Sequence, residues 1–117
     1  MSPIKRDYTL YLEDIIISIE KIISYKGDLN FNDFVLNALV VDAVIRNFEI
    51  IGEASNNIPN HIKEKYPEVP WKKMYGLRNL IAHEYFGIDH EMIWEIVNNN
   101  LPQNLDDLKV ILNKESK

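Results

Sequence analysis

Arg78, Asn79, His83 and Tyr85 stand within one short stretch, RNLIAHEYFGID, that runs from Arg78 to Asp89. A guanidinium is charged at any physiological pH and offers a planar fork of donors that fits a phosphate. An imidazole exchanges protons near neutral pH. Around one phosphodiester, the two groups could hold the phosphate, stabilise charge that builds on it, and carry a proton to or from an attacking or leaving oxygen. The residues also admit a plainer reading. A histidine beside alanine on a helix often serves the fold through a hydrogen bond, and a tyrosine suits the edge of a bundle, where its ring is covered and its hydroxyl is wet.

Other chemistries lack their residues. The chain has no cysteine, which removes thiolate nucleophiles, disulfides, iron–sulfur clusters and thiolate zinc sites. Its three histidines, His61, His83 and His90, form no i,i+4 pair and no HExxH pattern, so no metal site is expected. There is no glycine-rich phosphate loop and no GxSxG turn, and no cofactor is expected.

The spacing of Arg78 and His83 constrains how they could cooperate. Five residues apart on an ideal helix, they lie about 140° apart around its axis. One copy of the helix does not present both to the same point. Either the helix end distorts near His83, or a second copy of the chain brings its own set across a two-fold interface, the commonest symmetry of oligomers.

The elements around this stretch read as helices throughout. From Tyr8 to Tyr25, Leu12, Ile15, Ile16, Ile19, Ile22 and Ile23 form one apolar stripe, and KGDLN supplies a glycine stop. A second segment, Asn32 to Asn57, is apolar almost all round and predicts one long, mostly covered helix. Its polar residues Asp42, Arg46, Glu49 and Glu53 fall on one narrow line. Gly52, unfavourable in mid-helix, marks a close approach by another helix.

Pro59 suits the first turn of a short helix, and Pro67 and Pro70 enclose an extended linker. From Trp71 a helix, bent at Gly76, turns Met74, Leu77, Ile81 and Ala82 inward and ends at Gly87. Asp89 can cap the next helix, and Pro102 restarts the last one. The expected fold is an all-α, single-domain bundle of four to six helices over residues 1–117, with its core in about 8–112.

Composition agrees with a folded domain. Hydrophobic residues make up 46% of the 117 and charged residues 26%, values ordinary for a globular chain. Glu13 and Asp14 interrupt any signal-peptide core at the start, and no run approaches the ~20 apolar residues that span a bilayer. A cytoplasmic protein with no membrane contact is expected. The net charge of −5 argues against a generally basic nucleic-acid binder. Lys63, Lys65, Lys72, Lys73 and Arg78 nonetheless concentrate in 61–78 against only Glu64 and Glu68, so a polyanion would dock there.

The order of AVIRNFEIIGEASNNIP, YPEVPWKKMYGLRNLIAHEYFGID and IWEIVNNNLPQNLDDLK resembles the HEPN superfamily, specifically HepT toxins of HepT/MntA-type toxin–antitoxin modules, over about residues 8–112. The resemblance implies a homodimeric, metal-independent endoribonuclease toxin of a type VII module. Arg78 and His83 match the family's catalytic pair, and Asn79 the polar residue after the arginine. Tyr85 matches the tyrosine to which a partner MntA-type nucleotidyltransferase antitoxin transfers AMP, silencing the toxin. Arg46, Glu49 and Glu53 fall in the family-like RNFEIIGEA, where they would support the cleft or the dimer contact. The alternative is a non-catalytic HEPN module that partners a nucleotidyltransferase and cuts nothing.

Overall fold

A computed structural model describes residues 6–116. In order, its helices are α1 (Tyr8–Lys26), α2 (Phe31–Leu36), α3 (Ala38–Asn56), α4 (Asn60–Lys65), α5 (Trp71–Glu84), α6 (His90–Asn99) and α7 (Leu101–Glu115), with a 3-10 turn at Tyr85–Gly87. No strand occurs among the described residues. The all-α bundle is as expected, and five helices run ten residues or longer. The ends of the expected domain, residues 1–5 and 117, lie outside the described residues.

The stripe on α1 is what the fold is built on. Leu12, Ile15, Ile19 and Ile22 are completely buried, and α1 packs along α3 on one side and α7 on the other. Asp7 caps the start of α1 by accepting from the Thr9 amide at 2.9 Å. Gly27 ends it at φ 48, its N–H donating to the Ile23 carbonyl. A left-handed φ of this kind is one that glycine adopts without a Cβ penalty.

The expected single helix from Asn32 to Asn57 is instead two. Asn37 leaves helical geometry at φ −97, ψ 87, and its side chain accepts from the Val40 amide at 3.1 Å, so it ends α2 and caps α3. An asparagine competes for backbone donors in this way more readily than it continues a helix. The covering is also less complete than the composition implies, since Leu36 and Leu39 beside the break are more than 80% exposed.

α3 carries the centre of the bundle, with Val44, Ile45, Phe48, Ile51 and Ala54 buried and α1 and α5 against its two sides. The linker before α5 is fastened by its own aromatic residue: the Trp71 indole N–H donates to the Tyr66 carbonyl at 3.0 Å. Buried Ser55 donates to the Gly52 carbonyl at 2.9 Å and lies 3.4 Å from the Trp71 carbonyl. These contacts fix where α5 begins relative to α3.

α5 runs without a break through Gly76 and stops at Glu84 rather than Gly87. Glu84 turns out of helical geometry at φ −134, ψ 39, and Tyr85–Gly87 continues as one 3-10 turn. Gly87 has no positive φ, so it is not the left-handed stop that its position implies. Met74 and Ile81 are buried as expected and Leu77 is half-buried, but Ala82 faces solvent. Asp89 caps α6 by accepting from the Glu91 and Met92 amides at 2.9 and 3.3 Å. Pro102 sits in the first turn of α7, where its missing N–H leaves no bond unmade. No described helix is long and apolar enough to cross a membrane.

Candidate active site

The contact between α3 and α5 is set by Gly52. A side chain there would run into the Cβ of Arg78 and the carbonyl oxygen of Met74, so the missing Cβ is what lets the helices meet. Glu53, the next residue, then reaches Arg78: its Oε2 lies 3.3 Å from the Arg78 Nε. The Arg78 Nη1 donates to the Asn79 Oδ1 at 3.1 Å. Half-exposed ion pairs of this kind add little stability, about 0–1 kcal/mol. Their effect is to aim the guanidinium, leaving part of its fork open to solvent.

Arg78 looks into a groove of about 400 Å³ between α1, α3 and α5. Arg46, Glu49 and Glu53 of the polar line form its floor. The wall on the α1 side was not foreseeable. Arg6 pairs with Asp14 at 2.6 Å and stacks its guanidinium over the Tyr11 ring at 4.6 Å, and all three residues line the groove. Nothing in the local sequence connects these residues to Arg78; only the α1/α3 packing does.

His83 is brought to a different place. α5 is regular to Glu84, so the five-residue spacing keeps Arg78 and His83 about 140° apart around the axis. His83 is exposed. The distortion of the chain comes one residue too late to turn it toward the groove. Among the described residues, no three His, Asp or Glu side chains gather in a way that could hold a metal ion.

Tyr85 ties the 3-10 turn back to α3. Its hydroxyl donates to the Asp42 Oδ1 at 2.8 Å, and that bond, together with the negative charge of Asp42 and a smaller effect from Glu49, raises the phenol above its usual pKa of 10. Asp42 belongs to the polar line, where the sequence set it one turn from Arg46; its bond to Tyr85 was not legible there. Phe86 beside it is fully exposed and meets the Tyr85 ring edge-on at 5.3 Å.

The basic segment divides. Lys63, Lys72 and Lys73 line one broad, open groove with Trp71 and Tyr75. Lys65 points elsewhere, to Glu115 at 2.9 Å. Three of the five cations thus cluster in one groove, with Glu68 in the same lining.

The family model described as "Ribonuclease HepT-like" matches residues 15–113. A Methanocaldococcus jannaschii protein whose name carries the term RNase is 44% identical over 107 residues, which cover 92% of this chain and 98% of that protein. A Thermococcus cleftensis protein named for ribonuclease HepT is 44% identical over 98 residues, covering 84% of this chain and 89% of that one. A Caldanaerobacter subterraneus protein, also named for RNase, is 40% identical over 105 residues, covering 90% and 94%. No solved structure matches the chain significantly. With a helical bundle that presents RNLIAHE at the end of α5 and Tyr85 in the turn after it, and with relatives matched along nearly their whole length, the chain belongs to the ribonuclease HepT-like family of the HEPN superfamily.

Proposed function

We propose that the protein is a metal-independent endoribonuclease that works as a homodimer, with Arg78 and His83 as its reacting pair. What supports this reading is the setting of the two side chains in a chain of that family: Arg78 is aimed by Glu53 and Asn79 with part of its fork open, and His83 stands exposed near the end of the same helix. Arg78 holds the scissile phosphate and stabilises the charge that builds on its oxygens. His83 exchanges a proton with the reacting oxygens. The ribose 2′-oxygen gives up its proton and attacks phosphorus, and the bond to the 5′-oxygen breaks as that oxygen gains a proton. The products are a 2′,3′-cyclic phosphate and a 5′-hydroxyl.

Because the two side chains diverge on one helix, each protomer supplies half of a site, and a two-fold dimer brings the halves around one cleft. Arg46 and Glu49 line the groove beside Arg78 and support its setting.

In this reading the protein is the toxin of a type VII toxin–antitoxin module in the cytoplasm, and Tyr85 is its control point. An MntA-type nucleotidyltransferase antitoxin transfers AMP to the Tyr85 hydroxyl. The added phosphodiester carries negative charge and bulk, which repel and block an RNA strand.

The test is cleavage of a labelled RNA by purified protein in excess EDTA, with the ends identified by mass. Wild type yields 2′,3′-cyclic phosphate ends, and Arg78→Ala and His83→Ala do not. Wild type that cuts no better than these variants defeats the ribonuclease reading. The non-catalytic module, which the net charge of −5 favours, then stands.

A further inference from the structure

On the other side of the α3/α5 seam from Arg78 lies a cavity of about 270 Å³, between α3, α5, α6 and α7. Phe48, Ile51, Met74 and Leu77 give it apolar walls, and Lys73 and Asn104 give it polar groups. Asn104 is only 9% exposed. No side-chain hydrogen bond joins its amide to another described residue, although the amide of Asn98 nearby in sequence finds the Trp94 carbonyl at 2.8 Å. The Asn104 amide is nearly enclosed yet still open to the cavity it lines, so a ligand that offers a donor or acceptor there can pair with it.

Lys73 and Pro70 line both this cavity and the open lysine groove. A strand whose phosphates lie over Lys63, Lys72 and Lys73 therefore passes the cavity mouth. We propose that the cavity is a subsite for one unpaired base of an RNA strand, with Asn104 reading the base edge and Lys73 holding the adjacent phosphate. This rests on the ribonuclease reading.

The chemistry selects the ligand by elimination. A hydrocarbon chain would leave the Asn104 amide unpartnered, and an inorganic anion would leave the apolar walls wet. A nucleotide satisfies all three surfaces: flat faces for the apolar walls, donors and acceptors on one edge for a carboxamide, and a phosphate for the lysine. Lys73 and His83 are ten residues apart on α5, about 15 Å along its axis. The base in the cavity thus lies a short way along the strand from the bond that is cut, and cleavage prefers particular sequences.

The experiment uses the full-length protein with labelled isoleucine, leucine and methionine methyls, titrated with AMP, GMP, CMP, UMP, adenosine, inorganic phosphate, and a short 2′-O-methyl oligonucleotide that cannot be cut. The Ile51, Met74 and Leu77 methyls are expected to shift with one base preferred, and the oligonucleotide to bind about tenfold or more tightly than the mononucleotide, less so as salt rises. Asn104→Leu keeps or raises the melting temperature and lowers affinity about tenfold or more. Lys73→Ala weakens AMP but not adenosine. Methyls that no nucleotide moves, shifts reproduced by phosphate alone, or an Asn104→Leu variant that binds like wild type overturn the proposal. Equal affinity for mononucleotide and oligonucleotide overturns the RNA assignment in favour of a free nucleotide. The two readings fail separately: Arg78-dependent cleavage without methyl shifts removes the subsite alone, and shifts without cleavage remove the nuclease alone.

Discussion

Gly52 on α3 lies directly against the Cβ of Arg78 on α5, and a side chain there would also meet the Met74 carbonyl oxygen at 2.8 Å. Alanine at position 52 gains about 1 kcal/mol of helix propensity. Both obstacles, however, are held by the backbone of α5, so the helices must separate. Overpacking of this sort costs about 1–3 kcal/mol, and with the Arg78 Cβ and the Met74 carbonyl oxygen both in the way this site belongs at the upper end, about 2–3 kcal/mol. Gly52→Ala is expected to be destabilised by about 1–2 kcal/mol net in urea unfolding and to lose RNA cleavage although Arg78 is intact. A midpoint unchanged or raised would show that the two helices do not meet there.

Glu115, far from the groove, fastens the end of α7 to both α1 and the α4 end. Its carboxylate accepts from the hydroxyls of Tyr66 at 2.5 Å and Tyr8 at 2.7 Å and from Lys65 at 2.9 Å. The Tyr66 bond first, then Lys65 and Tyr8, hold the Glu115 carboxyl at about 2, below its usual 4.5. A carboxyl depressed in the folded state contributes stability that is fully present above its unfolded pKa and is lost as pH falls through the folded one. Glu115→Gln is therefore expected to melt below wild type at neutral pH, with the gap closing between about pH 4.5 and pH 2. A gap that stays constant across that range would contradict the clamp.

Much of this was readable from residue types. The α1 stripe, the Asp89 cap and the Gly27 stop depend on neighbours within a turn, and the structure has each of them. So does Gly52, because a glycine in mid-helix needs a tertiary reason. The break at Asn37 was not legible: apolar residues on both sides gave continuous helical periodicity, and the capping bond to Val40 decides the matter locally against it. Gly87 misled in the opposite sense, since the chain leaves the helix at Glu84 and no left-handed residue is needed. At the site, Arg78, Asn79 and Tyr85 were visible by type. The partners that aim two of them, Glu53 and Asp42, lie 25 and 43 residues away, and which carboxylate of the polar line meets which residue depends on how α5 is seated on α3.

The Tyr85 hydroxyl is held by Asp42, whose hydrogen bond and charge raise it above the usual pKa of 10. Removing that charge lets the phenol ionise more easily. In protein labelled at the tyrosine ring carbons, Asp42→Asn is expected to move the Tyr85 titration down toward 10 while the other tyrosines hold theirs. Tyr85→Phe should keep RNA cleavage and take up no adduct of about 329 Da from a nucleotidyltransferase and ATP. A Tyr85 titration unmoved in Asp42→Asn would refute the bond, and an adduct on Tyr85→Phe would place the modification elsewhere.

The divergence of Arg78 and His83 on one regular helix makes a prediction that a single-protomer site does not. In a dimer with composite sites, Arg78→Ala lacks the arginine of both and His83→Ala lacks the histidine of both, so each homodimer is inactive. Mixed after brief unfolding, half of the dimers pair one variant with the other. Each such dimer joins the intact Arg78 of one protomer to the intact His83 of its partner at one of two sites. Activity is expected to return to roughly a quarter of wild type at equal total protein, rising and falling with the mixing ratio. If both residues act within one protomer, no pairing restores a complete set, and the mixture stays as inactive as its components.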